Sequence, residues 1–218
     1  MTRAVVFDLD GVLIDSEERW DRARRQVVAE HGGEWRDGAT TAMQGMSSTE
    51  WALYLRDELG TDLPLDEIVD LVVGHLLDGY HDGLPLLPGA AAAVRRIGAR
   101  WPLGLASSAN RIVIDAVLAS AGLTGAFAAT VSSEEVARGK PAPDVYLETA
   151  RRLGEPAAGC AAVEDSSNGI RSAVAAGMGV IAVPNRAFPP APDVLDEAAA
   201  VLTGLDELTV DVVARLGT

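Results

Sequence analysis

Residues 5–20 read VVFDLDGVLIDSEERW, an apolar, strand-like run that ends on Asp8 and Asp10, one residue apart, and then Gly11. Like charges so close repel, and burial penalises both anions, so the pair calls for a cation, a proton or strong hydrogen bonds. The expectation is a metal site or an acid/base pair at the end of a buried strand. If the two aspartates were only turn formers, no other part of the chain would need to answer them, and other parts do.

Short apolar runs recur downstream: 102–108 (PLGLASS), 126–133 (AFAATVSS), 160–165 (CAAVED), 178–184 (MGVIAVP) and 198–204 (AAAVLTG). From residue 88 onward helix-like segments alternate with them, the rhythm of βα units. That predicts an α/β fold, a Rossmann-like parallel sheet core with helices on both faces. The stretch from 16 to 84 breaks the rhythm. Trp20, Ala23, Val27 and Val28 share one helical face, as do Ile68, Leu71, Val72, Leu76 and Leu77. Between those helices, Ser47-Ser48-Thr49-Glu50 has the form of a capping box, and Gly60 suits the far end of the helix it starts. Three helices and no strand are expected there, as an inserted helical cap domain. The expected division is 1–15 and 85–218 for the catalytic core and 16–84 for the cap, with a hinge near Pro85 and Pro88.

With 218 residues the chain can bury one sizeable core plus an insertion. Its net charge of −14 would repel a nucleic acid. A small phosphorylated substrate remains compatible, because a metal ion and a lysine reverse the field locally. The single cysteine, Cys160, reads as a core residue in a reducing compartment. No apolar stretch reaches the ~20 residues of a membrane span. A cytoplasmic protein, monomeric by default, without a nucleic-acid or membrane partner, is expected.

Ligands of an open parallel sheet collect beyond the carboxyl ends of its strands. Asp8 and Asp10, Ser107 and Ser108, and Glu164 and Asp165 stand at such ends, and Lys140 precedes a helix. A hard divalent cation such as Mg²⁺ takes oxygen ligands and typically one or two carboxylates, which Asp8 and Asp165 can provide. Glu164 is either a third ligand or an acceptor behind them. Lys140 can neutralise a nucleophilic carboxylate and a transferring phosphoryl group. Asp8 would attack phosphorus, and Asp10 would protonate the leaving alcohol and later deprotonate water. Leu9, Gly11, Ser107, Ser108 and Lys140 are the expected phosphate-binding positions. Trp20 and Met46 either line the substrate pocket or, like Trp51, fill the cap core. His31, His75 and His81 lack metal-ligand spacing and read as surface helix residues, with His81 the one near the crevice.

The motifs DLDGVLIDS (8–16), Ser107, GKPAPD (139–144) and EDSSNGI (164–170) resemble, in order, those of the haloacid dehalogenase-like superfamily of phosphohydrolases, in its branch with a helical cap after the first motif. The resemblance spans essentially the whole chain. It implies Asp8 as nucleophile, Asp10 as general acid/base, Ser107 and Lys140 as phosphate binders, and Mg²⁺ on Asp8, Glu164 and Asp165 with the Asp10 backbone carbonyl. Dehalogenases of the superfamily lack the second aspartate, and its phosphonate-cleaving members use a cap lysine. Residues 16–84 contain no lysine. The motifs are closest to those of β-phosphoglucomutase and the sugar-phosphate phosphatases. Where the mutase pattern has a cap histidine this chain has Trp20, and where it has a cap arginine, in the loop GMSSTE (45–50), it has Ser48. Without an arginine clamp a second phosphate is held less firmly. The expected activity is therefore an Mg²⁺-dependent phosphatase of a sugar or polyol phosphate type of metabolite, acting through an aspartyl phosphate. The rivals are a phosphomutase and, in another class, a non-catalytic phospho-accepting or binding module.

Overall fold

In the computed structural model, which describes residues 1–43, 46–81, 83–185 and 189–216, the chain forms a six-stranded, all-parallel sheet of order β3-β2-β1-β4-β5-β6. After β1 (Ala4–Phe7) come α1 (Glu17–Glu30), α2 (Ala39–Ala42), α3 (Ser48–Asp57) and α4 (Leu65–His81). The remainder runs α5 (Ala90–Gly98), β2 (Leu103–Ser107), α6 (Arg111–Ser120), β3 (Ala129–Ser132), α7 (Asp144–Leu153), β4 (Cys160–Glu164), α8 (Ser167–Ala175), β5 (Gly179–Ala182), α9 (Pro192–Leu195), β6 (Ala200–Val201) and α10 (Val210–Arg215). All six apolar runs became strands, although the last is paired over two residues only, Ala200 and Val201.

Alternation along the central strand explains why both faces are covered. Val5 and Phe7 join Leu105, Val163 and Ile181 in a cluster with Val94 of α5, Val113 of α6 and Val213 of α10. Val6 turns the other way, onto Ala162 and Val180, beneath Tyr146 of α7 and Ile170 of α8. Trp20, Val27, Trp51, Leu55, Ile68 and Leu76 of the helical insertion belong to the first cluster, so its apolar stripes continue the packing of the sheet domain. Cys160 is buried in the second.

The insertion contains four helices among the described residues rather than three, because the single turn α2 forms after Gly38, whose φ of 83° reverses the chain. α3 carries the expected capping box: the Ser47 amide donates to Glu50 Oε2 at 2.7 Å. Gly60, at φ 77°, closes the far end, its amide donating to the Arg56 carbonyl at 3.2 Å. Gly45, the first residue of the GMSSTE loop, and the side chain of His81 lie outside the described residues. His31 and His75 are half-buried. The segments that lead into and out of the insertion pair with each other: the Asp15 amide donates to the Pro85 carbonyl at 2.8 Å and the Leu87 amide to the Leu13 carbonyl at 2.9 Å. Among the described residues no helix is long and apolar enough to cross a membrane.

Candidate active site

β1 and β4 are neighbours at the centre of the sheet, with Phe7 opposite Val163. The Asp8 amide extends that ladder by donating to the Val163 carbonyl at 3.0 Å. The residues that follow the two strands therefore leave the sheet side by side, which brings Asp8 against Glu164 and Asp165. Lys140, the only lysine in the sequence, enters from the loop before α7. Its Nζ donates to Asp8 Oδ1 at 2.8 Å and to Glu164 Oε1 at 2.7 Å, with all three side chains buried. Glu164 also accepts from the Tyr146 hydroxyl at 2.7 Å and from the Asp165 amide at 3.0 Å. These bonds hold Glu164 as the buttress that aims Lys140 at Asp8.

One carboxylate oxygen from each of Asp8, Glu164 and Asp165 lies within 4.8 Å of the others. Burial pushes the Asp8 carboxyl up to about 7 against the pull of Lys140, and Glu164 and Asp10 add to the rise. Asp165 is pushed well above the carboxylate range by burial and then by Glu164 and Asp8. Burial works against the Lys140 ammonium, yet Asp8 and Glu164 together hold its pKa above the usual lysine value. Three carboxylates against one ammonium is the charge pattern of a site able to hold a hard cation through oxygen ligands.

Gly11 and Gly169 make that crowding possible. Gly11 has φ 77°, and a Cβ there would lie 1.8 Å from Asp165 Oδ2; a Cβ on Gly169 would lie 1.9 Å from Glu164 Oε1. No side chain larger than hydrogen fits either place without displacing an acidic group.

Asp10 is held from the insertion side. Its Oδ1 accepts from the Trp20 indole at 3.0 Å and from the Ser16 hydroxyl. Asp8, Asp10, Gly11, Lys140 and Asp165 line a cavity of about 440 Å³, and Trp20, Met46, Trp51, Ser108 and Asn168 line it as well. Trp20 thus answers both descriptions given to it, and Trp51, expected only in the cap core, lines the cavity as well: they are 5 % and 1 % exposed and in ring contact at 6.1 Å. Ser107 and Leu9 are fully buried and are not on that wall; the Ser107 hydroxyl accepts from the Ala109 amide at 3.0 Å. The N-cap of α6 is Asn110.

Several contacts of the site leave little mark in the sequence. Tyr146 lies on the buried face of α7, where an aromatic residue looks like ordinary core. Ser48 donates to Asn110 Oδ1 at 2.8 Å, a buried contact between α3 and the sheet domain across 62 residues of sequence. Glu17 and Arg24 line the cavity from α1. Arg24 did leave a signal, since it interrupts the apolar stripe of Trp20, Ala23 and Val27 with a charge one turn after Trp20.

A parallel sheet whose central strand ends carry a lysine-bridged acidic cluster under a helical insertion defines a phosphohydrolase of the haloacid dehalogenase type. Residues 2–177 match the haloacid dehalogenase-like hydrolase family, and the chain belongs to it. It is a phosphoric monoester hydrolase, with phosphatases among its relatives. Hexitol phosphatase B of Escherichia coli (strain K12) is 34 % identical over 192 residues, covering 83 % of each protein. The bifunctional riboflavin kinase/FMN phosphatase of Arabidopsis thaliana is 31 % identical over 187 residues; these are 85 % of this chain but 49 % of that protein. Among solved structures, CbbY from Rhodobacter sphaeroides in complex with phosphate superposes with a TM-score of 0.84 at 26 % identity, covering 98 % of this chain and 100 % of that one.

Proposed function

We propose that this protein is an Mg²⁺-dependent phosphatase of a small sugar or polyol phosphate, acting through an aspartyl phosphate on Asp8. The observation that carries the reading is Lys140 donating at once to Asp8 and Glu164, with Asp165 within 4.8 Å. Asp8 and Asp165, with the Asp10 carbonyl, would hold the metal, while Glu164 is committed to Lys140 and Tyr146. What Mg²⁺ supplies when bound is positive charge that keeps Asp8 ionised and offsets the charge of the phosphate.

The chain's own groups do the rest. The Asp8 carboxylate attacks phosphorus as the bond to the leaving oxygen breaks, and Lys140 balances the charge that moves onto the phosphoryl oxygens. Asp10, two residues on and on the same side of the chain, gives its proton to the leaving alkoxide. It then takes a proton from the water that cleaves the acyl phosphate and frees Asp8. Ser108 and the backbone around Gly11 form the phosphate cradle. Residues 16–84 act as the cap: Trp20 and Ser16 orient Asp10, and the Ser48–Asn110 contact seats the cap over the cavity and excludes water. The 34 % identity to a hexitol phosphatase supports the polyol class. Hydrolysis is favoured over mutation of the phosphate position because Ser48, where a clamp for a second phosphate would stand, is occupied with Asn110. We place the protein in the cytoplasm as a monomer, in keeping with a free, buried Cys160.

Phosphate release from a panel of sugar, polyol, nucleotide and acid monophosphates, with Mg²⁺ and with chelator, tests the reading. Metal-dependent release concentrated on sugars or polyols is expected. Isomer formation without free phosphate would make the protein a mutase, and silence on every ester would leave only a binding role.

A further inference from the structure

Arg24 and Glu17 face the catalytic cavity from α1 with hydrogen-bonding capacity unfilled. Arg24 is 5 % exposed, and its guanidinium lies 5.1 Å from the Trp20 ring and 5.5 Å from the Trp51 ring. Packed against both indoles, it keeps Nε and Nη1 buried without a hydrogen-bond partner, and Glu17 Oε1 is buried without one too. Each is the other's leading charged neighbour, yet no hydrogen bond or ion pair joins them among the described residues. Buried donors and acceptors left unpaired are costly, and here they occur as a complementary set on the wall of one cavity.

We propose that Arg24 and Glu17 jointly select the leaving group, admitting an uncharged polyhydroxyl chain and rejecting a second anion. Hydroxyl groups both accept and donate, so a polyol or sugar satisfies Arg24 and Glu17 together while its C–H face rests on Trp20 or Trp51. A carboxylate or second phosphate would satisfy Arg24 alone and set a negative charge against Glu17, in a cavity that already holds Asp8, Asp10 and Asp165. The inference rests on the phosphatase reading above and names the discriminating residues of the same site.

Two matched pairs test it: sorbitol 6-phosphate against 6-phosphogluconate, and glycerol 3-phosphate against 3-phosphoglycerate. Within each pair only a terminal hydroxymethyl and a carboxylate differ. The native protein is expected to favour the polyol member of at least one pair by about tenfold or more in kcat/KM. Glu17→Gln, nearly isosteric, is expected to narrow that ratio by about tenfold, and Arg24→Gln to lower kcat/KM on the polyol about tenfold, mainly through KM. A merely structural role for either residue would move both members of a pair alike. A native preference for the acids, no preference in either pair, or a ratio that Glu17→Gln leaves unmoved would overturn the inference. Hydrolysis of p-nitrophenyl phosphate by the native protein with Mg²⁺ separates the two levels of failure. If it is present and lost in Asp8→Asn, an absent polyol preference sinks the selection by Arg24 and Glu17 alone; if it is absent, the phosphatase reading falls and takes the inference with it.

Discussion

The two walls of the cavity handle charge in opposite ways. On the sheet side, Lys140 is tied to Asp8 and Glu164, and Glu164 is tied again to Tyr146 and to the backbone. On the helical side, Arg24 and Glu17 hold opposite charges apart, and Asp10 reaches across to Trp20 and Ser16. The difference teaches where each kind of work is done. Groups that handle the phosphoryl transfer have one fixed arrangement, because the reacting geometry is the same for every ester. Groups that meet the leaving part are left with capacity that only a substrate fills.

Substitutions on the sheet side should then act on turnover itself and exceed those on the helical side. Asp8→Asn is expected to lower kcat on the order of 10⁴-fold, the scale at which one member of a catalytic unit is lost; phosphate release in a clean preparation checks it, and a variant retaining a tenth of native turnover would remove Asp8 from the nucleophile's role. Lys140→Met should abolish activity and, by leaving Asp8 and Glu164 buried without their cation, cost roughly 3 kcal/mol of stability, read from urea denaturation in chelator. Trp20→Phe keeps an aromatic ring and removes the donor to Asp10, so kcat should fall about tenfold, the worth of one hydrogen bond to a charged group. A loss in Trp20→Phe as large as that in Asp8→Asn would break the contrast between the walls. Ser48→Ala should cost about 1 kcal/mol by opening the buried bond to Asn110, seen as a small fall in the thermal midpoint and a few-fold rise in KM.

The smallest effect lies away from the cavity. Burial opposes the Glu135 carboxylate, but bonds from the Ser132 amide, Arg111 and Arg152 hold its pKa down to about 2, against an ordinary value of 4.5. A depressed folded-state pKa means that its stabilising contribution is present above 4.5 and is lost as the pH falls toward 2. Glu135→Gln should therefore lower the urea midpoint slightly at pH 6, and the gap from the native protein should close between pH 4.5 and pH 2.

Much of the site was legible because its chemistry sits at strand ends. Asp8, Asp10, Glu164 and Asp165 are readable as a set: β ladders have a fixed direction, and successive parallel strands present their carboxyl ends at one edge. Ser107 shares that edge but stays off the cavity wall, and Lys140 comes from the loop before α7. The insertion was legible as helices from its apolar period, and the start of α3 from its capping box. The short α2 carries no such period, which is why three helices were expected. The paired role of Trp20 was open in the sequence, since a buried indole and a pocket indole leave the same periodic mark.

The parallel sheet, the helical insertion and the acidic cluster with its lysine are readable along the chain, because they follow from local apolar patterns and from polar groups placed at strand ends and helix starts, which a parallel sheet brings to one edge. Packing alone decides that Glu164 takes bonds from both Lys140 and Tyr146, that Ser48 closes on Asn110, and that Arg24 lies against two indoles with Glu17 as its charged neighbour. Those relations depend on how α1, α3 and α7 pack against the sheet, and on whether each side chain finds a partner at the packing distance. No spacing along the chain encodes that choice.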